Sequence, residues 1–173
     1  YVLQPIPEFM AQARQAAVTS RFLGTLSSTA PVPMNPAPAA ELAREMLELC
    51  DYITPNETET EAITGIAVTD AASAKRACAA LRDLGVGVPI ITMGEQGVYL
   101  DGHGMVPAIN AGEVVETTGA GDAFNGGFAS ALARGLSPLE AAKFGSVVAG
   151  ISVTRPGAAA SMPTRGEVDE KLG

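Results

Sequence analysis

The sequence predicts an α/β domain with a three-layer αβα arrangement, in which helices cover both faces of a largely parallel sheet. Short apolar segments bounded by glycine or proline alternate with longer amphipathic segments along most of the chain. Strands that alternate with helices in this way are typical of a sheet between helical layers. Folds of this class bind ligands beside the carboxyl ends of their strands, so we expect a site in the loops that follow the predicted strands.

The size and composition of the chain fit one domain with a buried core. Its 173 residues are 47% hydrophobic and 17% charged. Lysine and arginine total 11 and aspartate and glutamate total 19, which gives a formal net charge of −8. Because an acidic surface repels phosphate groups, we expect neither nucleic-acid nor membrane binding, although a local phosphate site remains compatible with this charge.

Histidine and cysteine offer little chemistry in this sequence. The only histidine, His103, lies between two glycines in a predicted exposed turn, which excludes a metal site with several histidine ligands. Cys50 and Cys78 are isolated and fall in helical patterns. We therefore expect two buried thiols in a reducing compartment, and a cytoplasmic protein.

The order of the predicted elements follows from hydrophobic periodicity and from glycine and proline punctuation. Capping boxes at Ser137–Glu140 and Thr164–Glu167 mark two helix starts, Asp70 caps a third helix, and Gly65 and Gly85 end helices. The predicted elements are strand 1–4, helix 8–18, an extended segment 35–39, helix 41–49, strand 52–54, helix 56–64, helix 71–84, strands 88–92, 98–101, 105–108 and 114–116, helix 122–134, helix 138–151 and a terminal helix from 165.

The most informative segment is 116–127, which reads Glu-Thr-Thr-Gly-Ala-Gly-Asp-Ala-Phe-Asn-Gly-Gly. A predicted strand leads into a loop with Gly119 and Gly121, and we expect a helix to begin near Asp122. Glycines let successive N–H groups point the same way, and a helix start adds unpaired donors. The segment predicts an anion hole for a phosphoryl group, with Asp122 placed to accept a proton from an attacking hydroxyl. For an isolated Gly-x-Gly-Asp, a helix-capping aspartate is the alternative that the pattern favours.

A second polar segment begins the predicted helix 56–64. Asn56 and Glu59 are three residues apart, so their side chains share one face of the helix. Their oxygens could order water around Mg²⁺, which prefers oxygen ligands. From the spacing alone, a capped acidic first turn is the favoured interpretation.

A third segment, Thr92 with the turn 94–97, follows a predicted buried strand. The backbone of such a turn could hold the phosphate or ribose of a nucleotide, and an ordinary hairpin turn is the alternative. The sequence has no G-x-x-x-x-G-K-[ST] motif, so a P-loop nucleotide site is not expected.

Together these segments resemble, in order, the motifs of the ribokinase (PfkB-type) family of carbohydrate kinases. Segment 116–127 is similar to the second signature of the family, 54–59 to its Asn-x-x-Glu motif, 92–98 to its nucleotide-binding turn, and 35–39 to a segment common in its members. The resemblance covers nearly the whole chain. It implies the ribokinase-like αβα fold.

The resemblance also implies an activity, the ATP-dependent phosphorylation of a sugar hydroxyl, with D-ribose to ribose 5-phosphate as the expected reaction. It makes Asp122 the general base, and Gly119, Ala120 and Gly121 part of the catalytic anion hole. Mg²⁺ would be held indirectly by Asn56 and Glu59. The alternatives are another small-molecule kinase, for fructose, a keto-sugar acid or a nucleoside, and a non-catalytic nucleotide-binding fragment. The nucleotide-binding positions implied are Thr92, Gly94, Glu95, Gly97, Gly121, Asp122 and Ser146.

A monovalent cation, K⁺, is a further cofactor that the resemblance implies. Glu116 stands where the family usually has aspartate, and the extra methylene shifts its carboxylate relative to that position. The matching positions are Glu116, Thr118, Ser152, Arg155, Gly157 and Ser161.

The chain matches the later part of the family pattern. It begins at Tyr1 rather than methionine, and the early Gly-Gly motif of the family does not occur in it. We therefore expect residues 1–173 to be the carboxyl-terminal nucleotide-binding and catalytic part of a single kinase domain, without the portion that selects the sugar. The expected partners are a small-molecule sugar and ATP, and the intact protein is expected to be a homodimer.

Overall fold

Among the described residues, five short strands form one mixed sheet, and their order in the sheet is their order along the chain. A computed structural model describes residues 33–34, 44–48 and 50–173, and these all belong to the unit Pro31–Gly173. The predicted elements at 1–4, 8–18 and 35–39 lie outside the described residues. The strands are β1 (Pro33–Met34), β2 (Tyr52–Ile53), β3 (Val88–Thr92), β4 (Val98–Leu100) and β5 (Gly104–Val106).

The direction of the strands changes at β3. β1, β2 and β3 pair in parallel, whereas β3–β4 and β4–β5 pair antiparallel. A 3₁₀ turn at Gly94–Gln96 and a tight turn around Gly102 reverse the chain at these two points. The α/β class is confirmed, and the described sheet is mixed rather than largely parallel because two hairpins end it.

Six helices are described, and four of them begin with reciprocal capping boxes. In each box the first side chain accepts a hydrogen bond from the backbone N–H three residues later, and the side chain of that later residue bonds back. The capping predicted at Asp70, Ser137 and Thr164 is confirmed. The helices are α1 (Arg44–Leu47), α2 (Glu57–Thr64), α3 (Ala71–Asp83), α4 (Ala120–Ala133), α5 (Pro138–Ser152) and α6 (Arg165–Leu172).

The structure differs from the prediction at two places near the anion-hole segment. Residues 114–116 do not form a strand, because the amides of Val115 and Glu116 both donate to the carbonyl of Val153 rather than to a neighbouring strand. The side chains of Val114 and Val115 are 61% and 59% exposed. Helix α4 begins at Ala120, two residues before the predicted start at Asp122.

Helices cover both faces of the sheet, as the αβα prediction requires. Ile90 packs in a cluster with Phe128 of α4 and Val147 of α5. Its neighbour Ile91 faces the other way and packs against Ala77 of α3. Adjacent strand residues point to opposite faces, so β3 is buried from both sides. None of the helices in the described ranges is long and apolar enough to cross a membrane.

The two cysteines are buried thiols, as predicted. Burial raises the pKa of the Cys50 thiol to about 11, and the nearby carboxylate of Asp51 adds to this shift. Burial likewise raises the pKa of Cys78 to about 12. Both thiols therefore stay protonated at neutral pH, which makes them poor nucleophiles.

Helices α4 and α5 form an antiparallel hairpin that is held together at two glycines. A methyl group added at Gly127 would lie 2.8 Å from Cγ2 of Val148 and 3.0 Å from Cα of Gly145. A methyl group added at Gly145 would lie 2.8 Å from the carbonyl oxygen of Phe124. The close contact therefore runs between the two helices.

We predict that Gly127→Ala lowers the free energy of unfolding by about 1–3 kcal/mol, the range expected when a tight core is overfilled. The adjacent Gly126 is the matched control, because it lies on the same helix and has open space around its Cα. Gly126→Ala should be neutral or stabilising by up to about 1 kcal/mol, since alanine loses less backbone entropy in a helix. Urea unfolding followed by circular dichroism measures both, and equal effects would contradict the close contact.

Candidate active site

The start of helix α4 has the geometry of an anion-binding loop. Gly119 is the residue before the helix and has a left-handed backbone with φ of 81°. The amide of Ala120 donates to the carbonyl of Thr117 at 3.1 Å, which closes the turn. Within the described residues, no acceptor is paired with the amides of Gly121 and Asp122. These free donors, with the positive end of the helix dipole, make the loop suitable for an anion.

Asp122 lies in the first turn of α4 and not at the residue before it. It is the third helical residue, and it is exposed. No side-chain cap is present at Gly119, so Asp122 does not serve as the cap of this helix. The alternative interpretation, a helix-capping aspartate after a glycine turn, is therefore not what the structure shows. An exposed carboxylate beside unpaired amides is placed to accept a proton from a bound molecule.

The loop after α5 packs directly on Gly119. A methyl group added at Gly119 would lie 3.0 Å from Cβ and 3.3 Å from Cα of Ala158. The left-handed backbone of Gly119 adds strain for any other residue. Glycine is therefore required here by both conformation and space.

Glu116 joins the same two loops through its carboxylate. Its Oε2 accepts a hydrogen bond from the backbone N–H of Gly157 at 2.8 Å. This hydrogen bond, followed by one from the Thr118 hydroxyl, lowers the pKa of Glu116 below its usual value. The structure thus brings together Glu116, Thr118 and Gly157, three of the positions predicted for K⁺.

The other predicted K⁺ positions lie at the two ends of the loop after α5. Ser152 and Ser161 are buried, and their hydroxyls donate to the carbonyls of Ala149 and Ala158 at 2.8 and 2.7 Å. The amide of Arg155 donates to the carbonyl of Ser152 at 3.1 Å. The groups gathered in and around this loop are carbonyl, hydroxyl and carboxylate oxygens, which are the ligands that hard cations prefer.

Asn56 and Glu59 cap each other. Oδ1 of Asn56 accepts from the amide of Glu59 and Oε2 of Glu59 accepts from the amide of Asn56, both at 2.9 Å. Glu59 is only 7% exposed. Each side chain therefore has one oxygen committed to the cap, which is the arrangement that the spacing alone favours. The second carboxylate oxygen of Glu59 is left for water.

The described residues contain no group of three or more His, Cys, Asp or Glu side chains that could hold a metal ion. Direct coordination of Mg²⁺ by several carboxylates is therefore not provided in this part of the chain. Contact through ordered water, with Glu59 supplying the charge, fits the residues present.

Thr92 lies beside Asn56 at the carboxyl ends of β2 and β3. The two residues form an isolated parallel bridge, and the amide of Thr92 donates to the carbonyl of Pro55 at 2.9 Å. The parallel strands thus bring two of the predicted segments, 54–59 and 92–98, to one edge of the sheet. This is the edge at which α/β folds bind their ligands.

The turn after Thr92 is exposed at Gly94 and Glu95 and fixed at Gly97. Gly97 has a φ of 102°, and a methyl group added to it would lie 2.2 Å from the carbonyl oxygen of Val106. Its own carbonyl accepts from the amide of Met93 at 2.8 Å. Gly97 is therefore needed for the close approach of the turn to the end of β5, whatever the turn binds.

Ser146 lies in the middle of α5. It is buried, and its hydroxyl has no hydrogen-bond partner among the described residues. The same holds for Oγ1 of Thr60 and Oδ1 of Asn125. Asn125 is on α4, one turn after Asp122, and is not among the site residues predicted from the sequence.

Glu167 contacts the loop after α5, although the sequence predicts only its part in a capping box. Its Oε2 accepts hydrogen bonds from the amide and hydroxyl of Thr164 at 2.7 and 2.9 Å. Its Oε1 accepts from Nη2 of Arg155. The sequence contains no local signal for the contact with Arg155, because the partners are on different elements.

The fold and the loops define the class of protein. At the start of α4 this domain offers amides for an anion and an exposed carboxylate that can accept a proton, which are groups that phosphoryl transfer uses. A sequence model of the pfkB family carbohydrate kinases matches residues 2–165. The chain therefore belongs to the pfkB family of carbohydrate kinases, and the predicted resemblance is confirmed.

The relatives in the same comparisons include several ribokinases and a deoxyribokinase. The ribokinase of Haemophilus influenzae is 46% identical over 143 residues, which cover 82% of this chain and 47% of that protein. The crystal structure of Thermotoga maritima ribokinase aligns with a TM-score of 0.75 at 39% identity, and covers 84% of this chain and 50% of that one.

A structure of Arabidopsis thaliana ribokinase complexed with ribose and ATP aligns with a TM-score of 0.77 at 33% identity, covering 82% of this chain and 47% of that one. These alignments confirm the ribokinase-like fold. The chain spans about half the length of the curated relatives it matches.

We predict that part of the fall in the free energy of unfolding at acid pH comes from protonation of Glu167. Hydrogen bonds from Arg155 and then Thr164 lower the pKa of its carboxyl from 4.5 to about 2. Because the folded pKa lies below the unfolded one, this contribution to stability is present above pH 4.5 and is lost as the pH falls toward about 2. In Glu167→Gln the free energy of unfolding should fall less steeply over this window.

Urea unfolding at a series of pH values from neutral to acid measures this effect. Asp169→Asn removes another carboxylate of α6, one that pairs only with Arg165 on the exposed surface, and serves as the control. A pH dependence as steep in Glu167→Gln as in the unchanged protein would contradict the prediction.

Proposed function

We propose that the protein is an ATP-dependent kinase that phosphorylates a sugar hydroxyl, with D-ribose as the acceptor and ribose 5-phosphate as the product. The observation that carries this proposal is the start of α4, where the exposed carboxylate of Asp122 lies beside the unpaired amides of Gly121 and Asp122. The family and the ribokinase relatives support sugar phosphorylation. The ligands in the Arabidopsis thaliana structure support ribose and ATP as substrates.

In the proposed reaction, Asp122 takes the proton of the acceptor hydroxyl as the hydroxyl oxygen attacks the γ-phosphorus of ATP. The bond from that phosphorus to the bridging oxygen breaks, and ADP leaves. The amides of Gly121 and Asp122 stabilise the charge on the transferring group, and the turn around Gly119 fixes their direction. The exposed turn at Thr92, Gly94, Glu95 and Gly97 and the buried hydroxyl of Ser146 would contact the nucleotide.

Two ions belong to the same proposal. Mg²⁺ would supply positive charge to the phosphates, held through water by Glu59 and Asn56. K⁺ would add charge beside the anion loop, held by oxygens of Glu116, Thr118, Ser152, Arg155, Gly157 and Ser161. The oxygen-rich loop after α5 and the ionised carboxylate of Glu116 support this part of the proposal.

We also propose a cytoplasmic protein that acts as a homodimer. The two buried thiols support a reducing compartment. Dimerisation follows from the family resemblance, and sedimentation of the purified protein would test it.

We predict that Asp122→Asn in the intact protein reduces kcat by roughly 10²–10⁴-fold, the contribution of a general base, and changes ATP affinity little. Coupled measurement of ribose-dependent ADP release gives kcat, and calorimetry gives ATP affinity. Asp83→Asn removes an exposed carboxylate from the end of α3 and is the control. A kcat within twofold of the unchanged protein would remove Asp122 from the mechanism.

The acceptor is tested in the same assay with ribose, fructose, a keto-sugar acid and a nucleoside. Ribose should give the largest kcat/KM. A larger kcat/KM with another acceptor would support the kinase activity and show that ribose is not the preferred substrate. ATP binding without transfer to any acceptor would favour a non-catalytic nucleotide-binding role.

We predict that Glu59→Gln raises the Mg²⁺ concentration needed for half-maximal activity and leaves the KM for the acceptor unchanged. Glutamine can keep the capping hydrogen bond to Asn56, because Glu and Gln both serve at this position of a capping box. The substitution therefore removes the charge and preserves the helix start. Activity titrated against Mg²⁺ at saturating ATP measures the effect, and an unchanged titration would leave Glu59 with a capping role alone.

A further inference from the structure

The carboxylate of Glu167 forms hydrogen bonds with residues at both ends of the loop between α5 and α6. Glu167, in the first turn of α6, accepts from Nη2 of Arg155 near the start of the loop. It also accepts from the amide and hydroxyl of Thr164 at the end of the loop. Arg155 and Thr164 are thereby held to the same side chain.

The loop that Glu167 closes is the one that packs against the anion loop. Between the tied ends lie Gly157, whose amide donates to Glu116 at 2.8 Å, and Ala158, which packs on Gly119. Two further backbone bonds join the segments, from the amides of Val115 and Glu116 to the carbonyl of Val153. A displacement of the loop after α5 therefore reaches the turn that orients the first amides of α4.

We propose that Glu167 is a positioning residue for phosphoryl transfer: by holding Arg155 it keeps residues 153–161 packed on the 116–119 segment. The proposal rests on the proposed kinase function. Glu167 does not touch the reacting atoms in this scheme. It acts through Arg155, Gly157 and Glu116, and its loss should lower the rate of transfer more than the affinity for either substrate.

Glutamine at position 167 separates the two roles of this carboxylate. A glutamine oxygen can still accept from Thr164, so the capping box of α6 is retained. The other terminal atom becomes an NH₂ group, which is a donor and cannot accept from the Arg155 guanidinium. Glu167→Gln therefore breaks the tie to Arg155 and preserves the helix start.

The matched control is Asp169→Asn on the same helix. Asp169 also pairs with an arginine, Arg165, but both are exposed and both are on α6 itself, so this pair does not span the loop. Arg155→Gln removes the tie from its other side. If the two residues act only through each other, the double variant Arg155→Gln/Glu167→Gln should be no worse than either single variant.

The first readout is hydrogen exchange of the purified protein without substrates, followed by mass spectrometry. Peptides covering 114–121 and 153–162 should exchange roughly two- to fivefold faster in Glu167→Gln, the range for one partly exposed ion pair. Peptides from α3 should be unchanged, and Asp169→Asn should match the unchanged protein throughout. Faster exchange confined to α6 would overturn the proposal, because the tie would then hold only its own helix.

The second readout is steady-state kinetics with ribose and ATP. Glu167→Gln and Arg155→Gln should each lower kcat roughly two- to fivefold with little change in either KM. An unchanged kcat in Glu167→Gln, with the unchanged protein active, would overturn the positioning role and leave the kinase function standing. If the intact protein transfers phosphate to no acceptor, the proposed function fails, and the positioning role in transfer is overturned with it.

Discussion

The contact between residues 116–119 and residues 157–158 is the constraint on which the rest of the site depends. In this contact the carboxylate of Glu116 accepts from the amide of Gly157, and the left-handed Gly119 leaves room for Ala158. Without the Gly157 amide, the charge of Glu116 would lack its main partner. With a larger residue at position 119, Ala158 would be pushed away. The direction of the first amides of α4 follows from this contact.

Local sequence signals predicted most of the described fold. The capping boxes at Ser137 and Thr164 and the cap at Asp70 involve residues within three positions of each other, so their geometry is decided by short-range hydrogen bonds. The alternation of apolar and polar segments likewise predicted helices on both faces of β3. These features require no knowledge of distant partners.

The errors arise where a distant partner decides the structure. Val114 and Val115 have high strand propensity, but they pair with no strand among the described residues. The amides of Val115 and Glu116 both donate to the carbonyl of Val153 instead. The antiparallel half of the sheet follows from two turns, and in the first of them Gly97 must approach the end of β5 closely. In the same way, Arg155 and Glu167 meet only because α6 folds back beside the end of α5.

The candidate site shows the same division. The glycines and the aspartate of 119–122 predicted an anion loop, because free amides at a helix start are a local property. The spacing of Asn56 and Glu59 favoured the cap that the structure shows, in which each side chain commits one oxygen. The sequence could not show how much of either side chain the cap leaves for an ion. It also could not show which loop packs on Gly119.

The hairpin of α4 and α5 gives this site an unusual cooperative character. The anion loop begins one helix and the oxygen-rich loop ends the other, and the glycine contact at 127 and 145 sets the separation of the two helices. The anion loop and the oxygen-rich loop therefore belong to one unit of local unfolding. A fluctuation that separates α4 from α5 would disorder both loops together, so states in which only one of the two loops is folded should be scarce.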